Sequence, residues 1–431
     1  MEEYTTIQQD TTQPNARGIF RLPLLQPLAN RNFRLLWIGE SVSVFGNFFY
    51  MIALAWIVLE ETGSGLALGT IMMAAAIPRA LFMPFGGVLS DRMSPRLVML
   101  ASNILCAILV GLLSFLIFSG TVALWHMYLL SIIGGAASAF FLPAMMTMVP
   151  RLVSKDKLEP SNSLVIGAQQ ISGLFGPVAA GFIVAAVGGA AAMGIDAATF
   201  VFATFTLLLM RSVNIKTRPA HSDDGSAQPA ESKGTFAEIR DGLKYAWGNP
   251  LLRAMVPAIA VINFCIVGPI DIGLASLAHD YFGGEASDLG IMLSVFGGSA
   301  VLGALLAGLI KVRRRGIIAI IIMAVEGIGL GMLSLAQDVL QASLFLGVMG
   351  ALMGYINVML IAWLQGTTRA DMLGRVMSLV MFASMGLQPV SLALAGWLVD
   401  VGHVYMFVGA GSLILITSFF MMKSQTIRTF E

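Results

Sequence analysis

Residues 66–118 read LALGTIMMAAAIPRALFMPFGGVLSDRMSPRLVMLASNILCAILVGLLSFLIF. Two apolar runs, 66–89 and 97–118, flank a short turn that holds Asp91, Arg92 and Arg96. A bilayer core of roughly 30 Å is crossed by about 20 apolar residues in a helix, so each run is a candidate span. Long apolar runs inside a bilayer form helices because only there does every backbone group find a partner without water. Ten more runs of this kind follow in both directions: 35–59, 124–149, 162–187, 190–211, 254–278, 288–310, 316–336, 339–365, 376–399 and 403–422. The predicted fold is all-α and integral to the membrane, with twelve transmembrane helices.

The charges test that count. Of the 25 Lys and Arg, all but Arg79 fall in the two tails or in every second connection: 92–96, 151–157, 211–253, 311–315 and 369–375. The six other connections, near Glu61, Gly120, Gly188, Gly284, Asp338 and Gly402, contain none. A wrong span count would destroy this alternation, and the positive-inside rule then puts both tails in the cytoplasm. Composition agrees: 57% apolar and 11% charged residues are too few charges to coat a soluble fold of 431 residues. A net charge of +1 spread along the chain gives no footing for nucleic acid; the expected surroundings are the lipid bilayer.

The longest connection divides the chain into six spans and six. The expected domains are a cytoplasmic tail (1–34), a six-helix half (35–211), a cytoplasmic linker (212–253), a second six-helix half (254–422) and a short tail (423–431). Within the linker, Phe236, Ile239, Leu243 and Ala246 recur at three- and four-residue spacing, which predicts an amphipathic helix on the membrane face. The first apolar run is too long for the core of a signal peptide and lacks a small-residue cleavage site, so it reads as a retained span. Two six-helix halves joined by a long linker are the layout of a transporter that rocks about a site near the midplane.

Other classes lack their chemistry. No Gly-Lys pair exists for a nucleotide-binding loop, and no H-E-x-x-H occurs. The four histidines sit at span ends or in the linker, while Cys106 and Cys265 lie in apolar runs as small buried hydrophobes. No enzyme activity, cofactor or metal is expected.

The turn Gly87-Val-Leu-Ser-Asp91-Arg92-Met-Ser-Pro-Arg96 resembles the signature of the major facilitator superfamily, a Gly-x-Leu-x-Asp-Arg stretch followed by basic residues. Its usual glycine after Asp-Arg is Ser94 here. The equivalent stretch of the second half, 311–315, is basic but has no aspartate. An aspartate at such a turn accepts hydrogen bonds from a neighbouring helix N-terminus and pairs with arginine. The resemblance implies a conformational latch at Gly87, Asp91, Arg92, Arg96 and Arg375. More narrowly, the entry Asn32-Phe33-Arg34-Leu35-Leu36-Trp37, the 243–253 stretch and Gly374-Arg375-Val376-Met377-Ser378 are similar to the branch containing macrolide efflux proteins and the enterobactin exporter. Gly173-x-x-Gly176-Pro177-x-x-x-Gly181 resembles the Gly-Pro motif of drug–proton antiporters, which that family associates with export. Ordinary glycine-rich packing explains it as well. The arginine that many proton-coupled exporters carry in span four is absent from 124–149.

A charge in hydrocarbon costs at least about 2.5–3.5 kcal/mol, so each one invites a functional reading. At 1.5 Å per residue, Arg79 stands about 18 Å above the Asp91 turn and Asn47 about 20 Å above Arg34, both near the midplane. Glu40 lies about 9 Å nearer the cytoplasm. Glu40, Asn47 and Arg79 are the candidate lining of the first half of a cavity; the plain alternative is that Arg79 fixes helix packing. In the second half the candidates are Glu326, near the midplane of span nine, Asp271 after a Gly268-Pro269 break, and Asn357. A carboxylate at such depth suits a proton carrier, or simply binds a neighbouring helix. Asp196 reads as a group that caps or orients span six.

These readings give an exporter of amphipathic small molecules, exchanging with protons by alternating access and working as a monomer in a bacterial inner membrane. The rivals are an uptake symporter with the same fold and a membrane sensor or scaffold without flux.

Overall fold

The computed structural model describes residues 22–211, 247–310, 312, 314–368 and 372–424. The expected tails and the amphipathic segment of the linker lie outside the described residues, apart from the stretches that border the spans. Twelve helices cross the fold: α1 (Arg31–Thr62), α2 (Gly65–Arg92), α3 (Pro95–Phe118), α4 (Leu124–Leu152), α5 (158–187), α6 (189–208), α7 (Pro250–Tyr281), α8 (Ala286–Leu309), α9 (Arg315–Leu333), α10 (Val339–Thr367), α11 (Leu373–Val401) and α12 (His403–Lys423). Eleven stretches are long and apolar enough to cross a membrane, because α5 and α6 run together as one. Gly188 separates them with φ 84° and ψ 161°, a conformation closed to residues with a Cβ, and the chain reverses there.

Several helix starts are fixed by side chains. The Asn30 carboxamide oxygen accepts from the Asn32 and Phe33 amides, while its nitrogen donates to the Leu152 carbonyl at 2.6 Å, tying the start of α1 to the end of α4. Asn32 exchanges two hydrogen bonds with the Arg211 backbone and so pins α6 beside α1. Asn249 caps α7 and Asp338 caps α10.

The outside of the bundle is apolar: Phe118, Leu309 and Phe382 are exposed by 83%, 79% and 73%. With lipid on that surface there is little hydrophobic drive between helices, and close packing with interhelical hydrogen bonds takes over. Accordingly, Ser102 donates to the Ala137 carbonyl (α3 to α4), Ser114 to Ala190 (α3 to α6) and Ser418 to Ile320 (α12 to α9). Gly135 leaves no room for a Cβ against Ala75 of α2, and Gly303 none against Ala351 of α10.

The halves repeat each other. Helix α2 packs on α4 as α8 packs on α10; α3 packs on α6 as α9 packs on α12. Helix α1 lies against α5 and α6, through Gly176–Phe48 and Gly46–Thr199, as α7 lies against α11 and α12, through Gly268–Ser391 and Gly273–Met406. The halves then meet along two seams, α2 with α11 and α5 with α8, which the same two-fold relation exchanges. The turns with no Lys or Arg lie at one end, here the neutral end, and the basic connections at the other, the basic end.

Candidate functional site

The seams between the halves are built from small residues, and they match atom for atom. A Cβ on Gly69, the fifth residue of α2, would strike the Leu392 carbonyl oxygen and the Gly396 Cα of α11. On Gly290, the fifth residue of α8, it would strike the Pro177 carbonyl oxygen and the Gly181 Cα of α5. One step nearer the neutral end, Gly396 faces the Gly65 carbonyl and Gly181 faces the Ala286 carbonyl. The Gly-Pro stretch of α5 is thus the α5 side of a seam between halves. Pro177 has no N–H for the carbonyl of Gly173, and that carbonyl faces Gly297 of α8. The next amide, Val178, donates to the Ser294 hydroxyl of α8 at 2.9 Å. Gly176 faces Phe48 of α1 instead.

The α2–α11 seam carries a feature with no counterpart across it. Asp400, near the end of α11, accepts from the Ser64 hydroxyl at 2.7 Å, the Gly65 amide at 2.6 Å and the Leu66 amide at 3.1 Å. A carboxylate of one half therefore caps the first turn of a helix of the other, where free amides and the helix dipole favour negative charge. The position four residues after Gly181 is Ala185. The start of α8 is served by its own Asp288, which accepts from the Glu285 amide at 3.1 Å. Nothing in the sequence marks Asp400, which belongs to no motif.

Both seams run from the neutral end to about the middle of the bundle. Trp56 of α1 meets His279 of α7 edge-on at 4.8 Å near the same end. On α11 the seam belongs to the stretch Gln388–Val401; below a break at Gly386 and Leu387, Leu373–Met385 packs on α7 of its own half. Toward the basic end Leu81 and Phe85 of α2 stand exposed.

The sequence candidates distribute as follows. Arg79 is exposed and donates from Nε to the Ser138 hydroxyl of α4 at 3.2 Å. Asn47 is exposed one turn from Tyr50, whose hydroxyl lies 3.4 Å from that of Ser131. Tyr50 is within electrostatic reach of both Arg79 and Asp196. Glu40 does not join this group. It is 5% exposed, faces Asn103 of α3, and also borders a narrow pocket with Met145 and Gln169. Its Oε1 and the Asn103 nitrogen are both buried without a hydrogen-bond partner among the described residues.

Asp196 is also buried, not at a helix end but inside α6 against Gly46, with Thr199 donating to its Oδ1 at 3.3 Å. Glu326 is 2% exposed on the face of α9 shared with Met323 and Leu330, and neither of its oxygens has a hydrogen-bond partner among the described residues.

The Gly268-Pro269 break has a physical cause. The Ser391 hydroxyl of α11 is inserted into the α7 ladder, accepting from the Gly268 amide at 2.9 Å and donating to the Phe264 carbonyl. Wide five-residue turns follow, and half-buried Asp271 lies in the first of them. Asn357 is exposed on α10.

Of the residues in the signature turn, the side chains of Gly87, Asp91 and Arg92 lie outside the described set. Arg96 holds the end of α6, donating to the Leu207 and Leu208 carbonyls at 2.9 and 3.0 Å. Among the described residues, Arg375 makes one weak contact, to the Met372 sulfur at 3.6 Å.

Comparison with known proteins agrees with this architecture. The family model described as Major Facilitator Superfamily matches residues 36–387. Macrolide efflux protein A of Streptococcus pyogenes is 24% identical over 398 residues, spanning 89% of this chain and 93% of that protein. The multidrug efflux pump Tap of Mycolicibacterium fortuitum is 24% identical over 372 residues, spanning 84% and 87%. Among solved structures, the nucleoside transporter NupG superposes with a TM-score of 0.70 at 13% identity, covering 93% of this chain and 100% of that one. A bacterial homologue of the iron transporter ferroportin, in an inward-facing state, gives 0.69 at 16% identity, covering 91% of this chain and 99% of that one. At such identities the structures speak for the fold alone, whereas the family model spans most of the chain. The protein belongs to the Major Facilitator Superfamily and is a multi-pass membrane transporter.

Proposed function

We propose that the protein exports amphipathic small molecules from a bacterial cytoplasm across the inner membrane in exchange for protons. The observation that carries this reading is the placement of the seams: the halves join at the neutral end, and the basic connections crowd the opposite end. Positive loops are retained in the cytoplasm. The basic end is then the cytoplasmic one, and the fold is closed to the outside. Export begins from such a state, with cargo entering past Arg79 and Asn47. Closing the basic end and parting the two seams completes alternating access. The efflux role of the curated relatives supports the direction.

Arg79 attracts an anionic group of the cargo or orients α2 against α4. Glu326, with neither carboxylate oxygen hydrogen-bonded among the described residues, and Glu40, whose Oε1 lacks a partner there, are the candidate proton carriers, with Asp271 in the wide turn of α7 and Asn357 as further pathway groups. The latch assignment to Gly87, Asp91, Arg92, Arg96 and Arg375 applies to the outward-open state, in which the basic end is shut. Arg96 would then hold α6 in place beneath it.

Everted vesicles with a respiration-driven, inside-acid gradient test the function, using a dye that reports collapse of the gradient. Macrolides, cationic dyes and a catecholate siderophore are added in turn, against vesicles lacking the protein. Protein-dependent collapse by one class is expected. Silence across the panel, together with acid-driven accumulation in intact cells, would establish an uptake symporter instead.

A further inference from the structure

Away from the seams, the second half contains an apolar pocket between α7, α9, α10 and α12. Its wall includes Met255, Ala319, Met323, Met359, Trp363 and Met421, and Arg315 stands at its edge as the first residue of α9. Methionine walls adapt to flexible apolar guests. From Leu251 to Ile262 the wall rises about 16 Å along α7, close to the hydrocarbon depth of one leaflet, about 15 Å. The wall on α9 reaches from Arg315 at the start of the helix to Met323, eight residues and about 12 Å deeper. Arg315 is exposed and has no acidic partner among the described residues, and Arg314 beside it is exposed as well. The start of α9 has no side-chain cap, so its free amides add to the positive field there. The pocket ends one helical turn short of Glu326.

We infer that this pocket holds an acyl chain of an anionic phospholipid from the leaflet at the basic end, with the lipid phosphate on Arg315. Juxtamembrane arginines attract anionic headgroups in general; here an apolar slot of leaflet depth lies directly beneath one of them. The inference is independent of the cargo and of the direction of transport.

Trp363 offers the probe, since it lines the pocket and is only 4% exposed. The other five tryptophans are replaced by Phe, and the protein is placed in nanodiscs containing phosphatidylglycerol or phosphatidylcholine with brominated chains, which quench at contact. Brominated phosphatidylglycerol should quench Trp363 at least about twofold more than brominated phosphatidylcholine, in line with a charge-assisted contact. Arg315→Gln should remove the difference, and Ala319→Phe, which fills the slot, should remove the quenching. Equal quenching by both lipids, an excess that survives both variants, or quenching by a brominated free fatty acid but not the phospholipid would overturn the inference. Mass spectrometry of lipid retained by the wild-type chain, Arg315→Gln and Ala319→Phe reads the same differences without removing any tryptophan.

Discussion

The two seams between the halves are alike in packing and unlike in charge. On α5–α8, as on α2–α11, a glycine at the fifth position of one helix sits on a carbonyl and on a glycine four residues beyond it. Among the described residues, only on α2–α11 does a carboxylate cross the boundary, Asp400 accepting three hydrogen bonds from the start of α2. On α5–α8 the boundary is crossed by a neutral hydroxyl, Ser294 to the Val178 amide. The glycines set whether the neutral end can close at all. The polar contacts set how firmly it stays closed, and they are weighted toward one seam. If the halves rock, the α5–α8 seam is the easier one to part.

Substitutions can break this comparison in graded steps. The largest effect belongs to Gly290→Leu and Gly69→Leu, which push a side chain into backbone of the facing helix. Overpacking of this kind costs about 1–3 kcal/mol or more. Transport in everted vesicles should fall to the background of empty vesicles while each variant still reaches the membrane. Near-normal transport in either would show that the seam does not close during the cycle.

Asp400→Asn comes next. It keeps the size but removes the charge and turns one acceptor into a donor facing amides, a loss of about 1–2 kcal/mol for charge-assisted bonds at a solvent-facing site. The open-to-closed ratio should rise roughly tenfold, read as faster labelling of a cysteine that replaces Val399, which is buried against Gly65 across the seam, in a background free of other cysteines.

Ser294→Ala removes one neutral hydrogen bond, about 1 kcal/mol, and should shift the same ratio about fivefold. Asp288→Asn touches only the start of α8 within its own half. Labelling should stay within twofold of the parent, because its cap opens no boundary between the halves. A shift as large as that of Asp400→Asn would erase the distinction between the seams.

Twelve spans and their grouping into halves were legible because hydropathy and the alternation of Lys and Arg are read along the chain, one residue at a time. The site was legible only in part. Gly173, Gly176, Pro177 and Gly181 stood out as a small-residue stretch, but that its partner is α8 depends on the fold. Arg79 announced itself as a charge in an apolar run; Ser138, which it binds, is one hydroxyl among many. Glu40 and Arg79 were grouped as one cavity lining despite about 9 Å between them in depth, yet Glu40 turns to α3 and Asn103 because depth says nothing of helix face. Asp400 was invisible for the opposite reason: an aspartate at the end of a span is ordinary, and its meaning comes from α2, which lies more than three hundred residues away in sequence.

The most direct test of the central claim is a distance between the halves at the neutral end. Spin labels go on Thr121→Cys in the α3–α4 turn and Gln337→Cys in the α9–α10 turn, both exposed, with Cys106 and Cys265 replaced by Ser. Double electron–electron resonance in nanodiscs then compares the parent with Asp400→Asn. The account predicts a single short-distance population in the parent and a second, longer one that grows in Asp400→Asn and on adding transported cargo. Identical distributions in both proteins, unmoved by cargo or pH, would contradict it.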